Sequence, residues 1–349
     1  MSMSNINKES IEKVINNSFD TLENKIDVLN DTLSERINSS NIKTVYAYIA
    51  GFFDGEGYIG IDKKTLSLKL HITNTNLDIL TRIKSVFKGN IKQLYEKSKS
   101  HKNTWIWTIS DRVNLKFFLK IILSYSSVKR SQLLDGIAFL ERTTDSRGQI
   151  GMSFEERKYR EMMYFKLQEP KHRIYTQEEI YKFQQQIDNT TQLQIEFDES
   201  VYAYISGFFD AEGCIDTRET EYNLYLRVQA ANTYPDTLIK IKSVFGGIVN
   251  LSTKSKCLNQ RQKWYWNLNS MNSINFFLTK ISSYSIVKKP QINFGFKFLK
   301  NDDYNTKLLI SNELKKLKNE EYTDEQICSL YKQIEDMNID KLQKTMMDY

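Results

Sequence analysis

The sequence predicts an α+β protein made of two copies of one helix-and-sheet unit, and three observations predict it. The stretch AYIAGFFDGEG at 47–57 returns as AYISGFFDAEG at 203–213 with two changes in eleven positions. Later landmarks recur in the same order: IKSVF at 83–87 and 241–245, WIW at 105–107 against WYW at 264–266, and FFLKIILSYSSVKR at 117–130 against FFLTKISSYSIVKK at 276–289. The offset drifts only from 156 to 159 residues, so insertions fall between elements while the elements keep their register.

Within the first copy, Tyr46 to Asp54 reads as a helix, with Gly55 and Gly57 suited to the left-handed turn that stops it. Ala47, Ala50 or Gly51, and Asp54 form a small-residue stripe on one face, repeated by Ala203, Ser206 or Gly207, and Asp210. Small residues let helix backbones approach closely, so each stripe is expected to pack on the other and bring Glu56 and Glu212 together. A strand follows in which Leu66, Leu68, Leu70 and Ile72 face the core while Ser67, Lys69, His71 and Thr73 face outward. After a charged turn, KSKSHK, a later strand turns Trp105, Trp107 and Ile109 inward and Thr104, Ile106 and Thr108 outward. The second copy puts Trp264 and Trp266 inside, with Tyr225, Arg227, Gln229, Lys263, Tyr265 and Asn267 outside. Helices close each unit, giving helix, two strands, helix, two strands, helix, with the helices on one face of an antiparallel sheet.

The flanks carry further helices. Ile15, Phe19, Leu22, Ile26, Leu29 and Leu33 predict an amphipathic helix over 11–37, able to pack on its own domain or to form a short coiled coil. YTQEEIYKFQQQI at 175–187 resembles YTDEQICSLYKQI at 322–334, and each places Glu179 or Gln326 three residues after a Thr, the capping-box signature of a helix start. These helices are expected to support the outer side of their own domains. The resulting division is an acidic N-terminal extension (1–40), a first unit (41–148), a helical linker (149–200), a second unit (201–300) and a C-terminal helical segment (301–349).

Charge is unevenly spread. The chain is +6, but residues 1–40 hold four basic and seven acidic side chains, net −3, so the remainder carries about +9. Cys214, Cys257 and Cys328 form no CxxC pair, and His71, His101 and His172 show no zinc-ligand spacing beside them. No apolar run is long enough to span a membrane, and the acidic start is neither a secretory signal nor an Arg-rich transit peptide.

A single short helix ending in Gly-Glu-Gly is ordinarily a core element with a solvated carboxylate. Its duplication in front of two basic, polar sheet faces points to a site. Two hard oxygen donors at Glu56 and Glu212 suit a divalent metal that activates water against a phosphodiester, and the outward side chains can donate to phosphates and base edges.

IAGFFDGEG at 49–57 and ISGFFDAEG at 205–213 resemble the LAGLIDADG motif of homing endonucleases, in the single-chain form with two motifs, over roughly 41–140 and 197–300. The resemblance implies two pseudo-symmetric αββαββα units, motif helices packed at the interface, and antiparallel sheets forming a saddle over the DNA major groove. It implies that the eighth motif position, Glu56 and Glu212, binds metal together with the carbonyls of Gly55 and Ala211. Lys129 and Lys288, in SVKR and IVKK, would organise solvent near the scissile phosphate, and Asn74 and Asn232 would play a similar part. Glu replaces the commoner Asp in both motifs, and Ala211 stands where the first copy has Gly55, so the two half-sites need not be equivalent. The implied activity is a monomeric, site-specific double-strand DNA endonuclease using two or more Mg²⁺ or similar ions, one carboxylate per strand, and promoting the mobility of an intron or similar element. The alternatives are an intron RNA maturase on the same scaffold, a bifunctional protein, and a DNA-binding regulator that has lost catalysis. The abundance of Asn, Lys, Ile and Tyr suits an AT-rich genome, hence an organelle (mitochondrion or chloroplast, encoded there) or a viral or phage host compartment, without secretion.

Overall fold

The duplicated apolar stretches become two buried helices, α1 (Ile42–Glu56) and α7 (Glu199–Glu212), packed side by side. The small residues make this approach possible. A β-carbon on Gly51 would sit 1.9 Å from the Tyr204 carbonyl oxygen, and one on Gly207 would sit 1.9 Å from that of Tyr48. The structure, a computed structural model, describes residues 42–95, 102–143, 152–172, 174–221, 223–252, 262–319, 322–323 and 325–334. The helix expected over 11–37 lies outside the described residues.

Each motif helix runs directly into the first strand of its own sheet. The first sheet has the order β1-β2-β4-β3, built from β1 (Gly57–Ile61), β2 (Leu68–Asn74), β3 (Asn90–Tyr95) and β4 (Thr104–Ile109). The second repeats it as β5-β6-β8-β7, from β5 (Gly213–Glu219), β6 (Leu224–Asn232), β7 (Ile248–Leu251) and β8 (Trp264–Leu268), and every pairing is antiparallel. Against their inner faces lie α2 (Leu77–Phe87), α3 (Arg112–Leu123) and α4 (Arg130–Arg142) in one unit and α8 (Asp236–Phe245), α9 (Met271–Ile281) and α10 (Lys289–Lys300) in the other. The expected αββαββα order is therefore present, with one more helix closing each unit.

The two cores repeat ring for ring. Phe118 meets Phe53 at 5.2 Å and Trp107 at 5.5 Å; Phe277 meets Phe209 at 5.0 Å and Trp266 at 5.2 Å. The equivalent indoles of Trp107 and Trp266 each satisfy their N–H on a backbone carbonyl, that of Lys88 at 2.7 Å and that of Gly246 at 2.8 Å.

One local expectation fails. Gly55 and Gly57 do not supply a left-handed helix stop, because neither has a positive φ and α1 continues through Glu56. Their role is closeness: a β-carbon on Gly55 would lie 2.3 Å from that of Ala211, and one on Gly57 would lie 2.1 Å from the Phe53 ring.

The linker and tail hold α5 (Phe154–His172), α6 (Gln177–Asn189), α11 (Tyr304–Asn319) and a helical stretch over 325–334. Both expected capping boxes form, at Thr176/Glu179 and Thr323/Gln326. Helix α5 stays on the first unit, where buried Arg160 donates to the Leu66 carbonyl at 3.1 Å. Helix α6 follows the first unit in sequence but lies on the second, with Phe183 against Trp264 at 6.2 Å. Residues 325–334 remain on the second unit through Tyr331 against Phe294.

Replacing Gly51 by Ala should cost at least about 3 kcal/mol in chemical denaturation, because the new methyl meets backbone that cannot rotate away. Gly60→Ala, whose β-carbon meets the movable Tyr58 hydroxyl end first, is the comparison and should cost less.

Candidate active site

The seventh motif residue organises what surrounds the eighth. Asp54 is 1% exposed and accepts five hydrogen bonds: from the Ser126 hydroxyl at 2.6 Å, from the backbone N–H groups of Ser127, Val128 and Lys129 at 2.8–3.1 Å, and from the Tyr204 hydroxyl at 2.7 Å. Asp210 repeats the set with Ser285, Ile286, Val287, Lys288 and Tyr48, at 2.6–3.0 Å. The N–H groups belong to the turns that open α4 and α10. Lys129 and Lys288 sit at the N-cap positions of those helices and make no side-chain cap of their own, so the aspartates cap them from a distance. The tyrosines come from the opposite motif helix, and burial pushes their hydroxyl pKa values well above the ordinary phenol value, which keeps them donors.

The same turns deliver the lysines. Lys129 Nζ donates to the Asp54 carbonyl at 2.5 Å and Lys288 Nζ to the Asp210 carbonyl at 2.6 Å. Burial pulls the Lys288 ammonium below its ordinary pKa, against the opposing pull of Asp210, Glu56 and Glu212.

Two residues beyond the aspartates, Glu56 and Glu212 meet at the helix ends. A β-carbon on Gly55 would lie 3.0 Å from Glu212 Cγ. Burial first, and then the Glu212 charge, push the Glu56 carboxyl up from 4.5 to about 7, against Lys288, Lys129 and the Asn74 amide. Burial also raises Glu212, opposed most by Lys129, then Lys263 and Lys288. Each acid thus feels the other unit's lysine more strongly than its own, a crossing that motif spacing alone does not reveal. Asn74 Nδ2 donates to Glu56 Oε1 at 3.2 Å and Asn232 Nδ2 to Glu212 Oε1 at 3.5 Å, each from the last residue of its strand. A cleft of about 250 Å³ opens beside Glu212 and Lys129, with Gly55, Asn232, Tyr234 and Pro170 in its walls.

Among the described residues no group of three or more His, Cys, Asp or Glu side chains gathers to hold a metal ion. The two carboxylates at the helix ends are nevertheless a pair of hard oxygen donors. Such a set fits Mg²⁺ or Ca²⁺, which takes its remaining ligands from water or a phosphate.

The outward residues fall where the parity placed them. On the first sheet Lys69, His71 and Thr73 share a face with Thr104, Ile106 and Thr108, in the pairs His71–Thr108 and Thr73–Ile106. Tyr225, Arg227 and Gln229 share the corresponding face of the second with Lys263, Tyr265 and Asn267, in the pair Gln229–Asn267. Two of these cations are already engaged: Lys69 with Asp62 at 2.5 Å, and Arg227 with Asp216 through Nε at 2.8 Å and Nη2 at 2.9 Å. His71 stacks on Tyr58 with ring centroids 4.4 Å apart. Sequence reasoning missed Tyr58 and Asp216 because neither β1 nor β5 carries a clean apolar–polar alternation. It read Asp54 and Asp210 only as members of a stripe, although FFD stands in both copies.

A family model described as a LAGLIDADG-like domain matches residues 43–123, and one described as LAGLIDADG endonuclease matches 205–300, together just over half of the chain. No curated protein matches. Solved structures of the same fold include the LAGLIDADG homing endonuclease I-GzeII in complex with its DNA target (TM-score 0.54, 16% identity, 78% of this chain and 96% of that one). They also include a lysine-to-alanine mutant of I-SmaMI (0.53, 17%, 78% and 97%) and the meganuclease I-CpaMI bound to uncleaved DNA (0.50, 15%, 78% and 99%).

The raised Glu56 pKa has a consequence for the metal-free protein. Between about pH 4.5 and 7 the folded state holds a proton that the unfolded chain has lost, so this group's contribution to stability falls as pH rises through that window. Glu56→Gln should stabilise the metal-free protein by about 1–3 kcal/mol at pH 8 and change little at pH 4.5, measured by denaturation at both values.

Proposed function

The chain belongs to the LAGLIDADG endonuclease family, and on that premise we propose that it is a site-specific DNA endonuclease cutting one phosphodiester on each strand of a long duplex target. The observation that carries this reading is the pair of half-buried acids, Glu56 and Glu212, at the touching ends of α1 and α7, both within the electrostatic reach of Lys129 and Lys288, with Lys129 and Glu212 lining one cleft. One chain supplies both motif helices, so the active form is a monomer.

Divalent cations, two or more and Mg²⁺ in this reading, would be held by Glu56, Glu212 and the carbonyls of Gly55 and Ala211. When bound they supply positive charge at the phosphate and a lowered pKa for water. The rest falls to the chain. Asn74 and Asn232 fix the carboxylates through their amides, leaving the other oxygens to face the substrate. Lys129 and Lys288, tethered to the carbonyls of Asp54 and Asp210, hold ammonium charge where the phosphate gains negative charge in the transition state. Lys69, His71, Thr73, Thr104, Ile106 and Thr108 line one half of the groove-facing surface, and Tyr225, Arg227, Gln229, Lys263, Tyr265 and Asn267 line the other. Phosphate contacts there set position and base-edge contacts set sequence.

The retained acid pair supports cleavage over a role confined to RNA, in which such carboxylates would only repel the substrate backbone. Mobility of an intron or similar element in an organellar or viral genome is the matching biological role.

Selection of cleaved ends from a randomised duplex library, with Mg²⁺ and then with Ca²⁺, should recover one site, cut by the wild type and not by Glu56→Gln/Glu212→Gln. Cutting by the double variant would remove the assignment. On that site, Glu212→Gln and Lys129→Met should slow cleavage of the same strand, and Glu56→Gln and Lys288→Met the other, each by about 10²–10³-fold. Slowing of a shared strand by Glu56→Gln and Lys129→Met would show that each half-site is built within one unit. Binding should weaken steeply with salt, since a surface that tracks phosphates releases counterions.

A further inference from the structure

The repeated positions of the two units are not equally covered. Trp264 is fully buried beneath Phe183 of α6, whereas its counterpart Trp105 is only half-buried. On α8, Val244 is buried, and Lys242 and Ser243 are half-buried beneath the chain around α6: Lys242 Nζ donates to the Ile187 carbonyl at 2.6 Å, and Leu193 N–H donates to the Ser243 carbonyl at 2.8 Å. Their counterparts on α2 are more open, with Lys84 and Ser85 exposed and Val86 half-buried. Leu77 is 40% exposed where the second unit has buried Pro235. The first unit therefore presents, uncovered among the described residues, the face that α6 occupies on the second.

The chain itself offers the counterpart of α6. Helix α6 is the last helix before the second motif helix, and the equivalent stretch before the first lies within residues 1–41, outside the described residues. There Ile26, Leu29 and Leu33 repeat the three-then-four spacing of Ile180, Phe183 and Ile187, the side of α6 turned to the core. Leu33 precedes Tyr46 by 13 residues and Ile187 precedes the matching Tyr202 by 15, so the reach is the same within two residues. Charge fits as well. Residues 1–40 are net −3, and the open face carries exposed Lys84 and Lys88.

We propose that the segment around Ile26–Leu33 docks as a helix on α2 and the start of β4 of the first unit, with Leu29 over Trp105 as Phe183 lies over Trp264. The chain thereby covers both units with the segment that precedes each motif helix. Docking places an acidic helix on the flank of the first unit, away from the polar sheet face. The inference is independent of catalysis.

Hydrogen exchange of the full chain tests it. Leu29→Asp should speed exchange of the amides at 77–87 at least tenfold and leave those at 236–245 unchanged, which also reports that the fold is intact. Phe183→Asp should do the reverse, and Asn24→Asp, which adds the same charge on the opposite side of the segment, should do neither. Unchanged exchange at 77–87 in Leu29→Asp would overturn the proposal. So would protection of that helix that rises with protein concentration, since a second copy's segment would then be the occupant.

Discussion

Two buried aspartates hold this molecule in register. Asp54 and Asp210 each accept hydrogen bonds from three places at once: a serine hydroxyl, a row of backbone N–H groups opening a distant helix, and a tyrosine of the opposite motif helix. A carboxylate buried to this depth is tolerable only when its oxygens are saturated, and removing one hydrogen-bond partner of such a group typically costs about 3 kcal/mol. Position, capping and inter-unit contact are therefore one constraint. It fixes where α1 and α7 end, and with that where Glu56 and Glu212 stand.

The placing of the lysines follows from the same bonds. Because the turns capped by the aspartates also carry Lys129 and Lys288, moving an aspartate would move a lysine. Because the motif helices touch through Gly51 and Gly207, each glutamate lies within the electrostatic reach of the other unit's lysine. The sheets behind them are not bare positive surfaces. Asp62 and Asp216 engage Lys69 and Arg227, and Gln229 and Lys318 also lie 3.5 Å from Asp216, so these donors are oriented before any ligand arrives. Pre-set donors favour specificity over raw attraction, since their rotamer freedom is already spent.

Much of this was legible in the residues. Alternation of period two separated Leu68, Leu70 and Ile72 from Lys69, His71 and Thr73 because a half-buried strand must alternate. The repeat announced the pseudo-symmetry, and the small stripe announced the helix pair. What stayed hidden depends on long separations: the partners of Asp54 lie 72 to 75 residues away in its own unit and 150 away in the other, where no local pattern points. The glycines after the motif were misread for a related reason. A Gly near a helix end ordinarily signals a left-handed stop, but here the need was to let Ala211 and the Phe53 ring come close. The landing of α6 on the second unit was equally invisible, since an amphipathic helix declares that it has an apolar side and not which surface covers it.

Paired motif helices bring Glu56 and Glu212 into one shared acidic site. Anomalous diffraction from crystals of the wild-type protein with its selected duplex and Mn²⁺ tests it most directly. Manganese peaks within about 2.4 Å of carboxylate oxygens of both residues are the expected result. Peaks at only one glutamate, or with both carboxylates turned away from every peak, would contradict it.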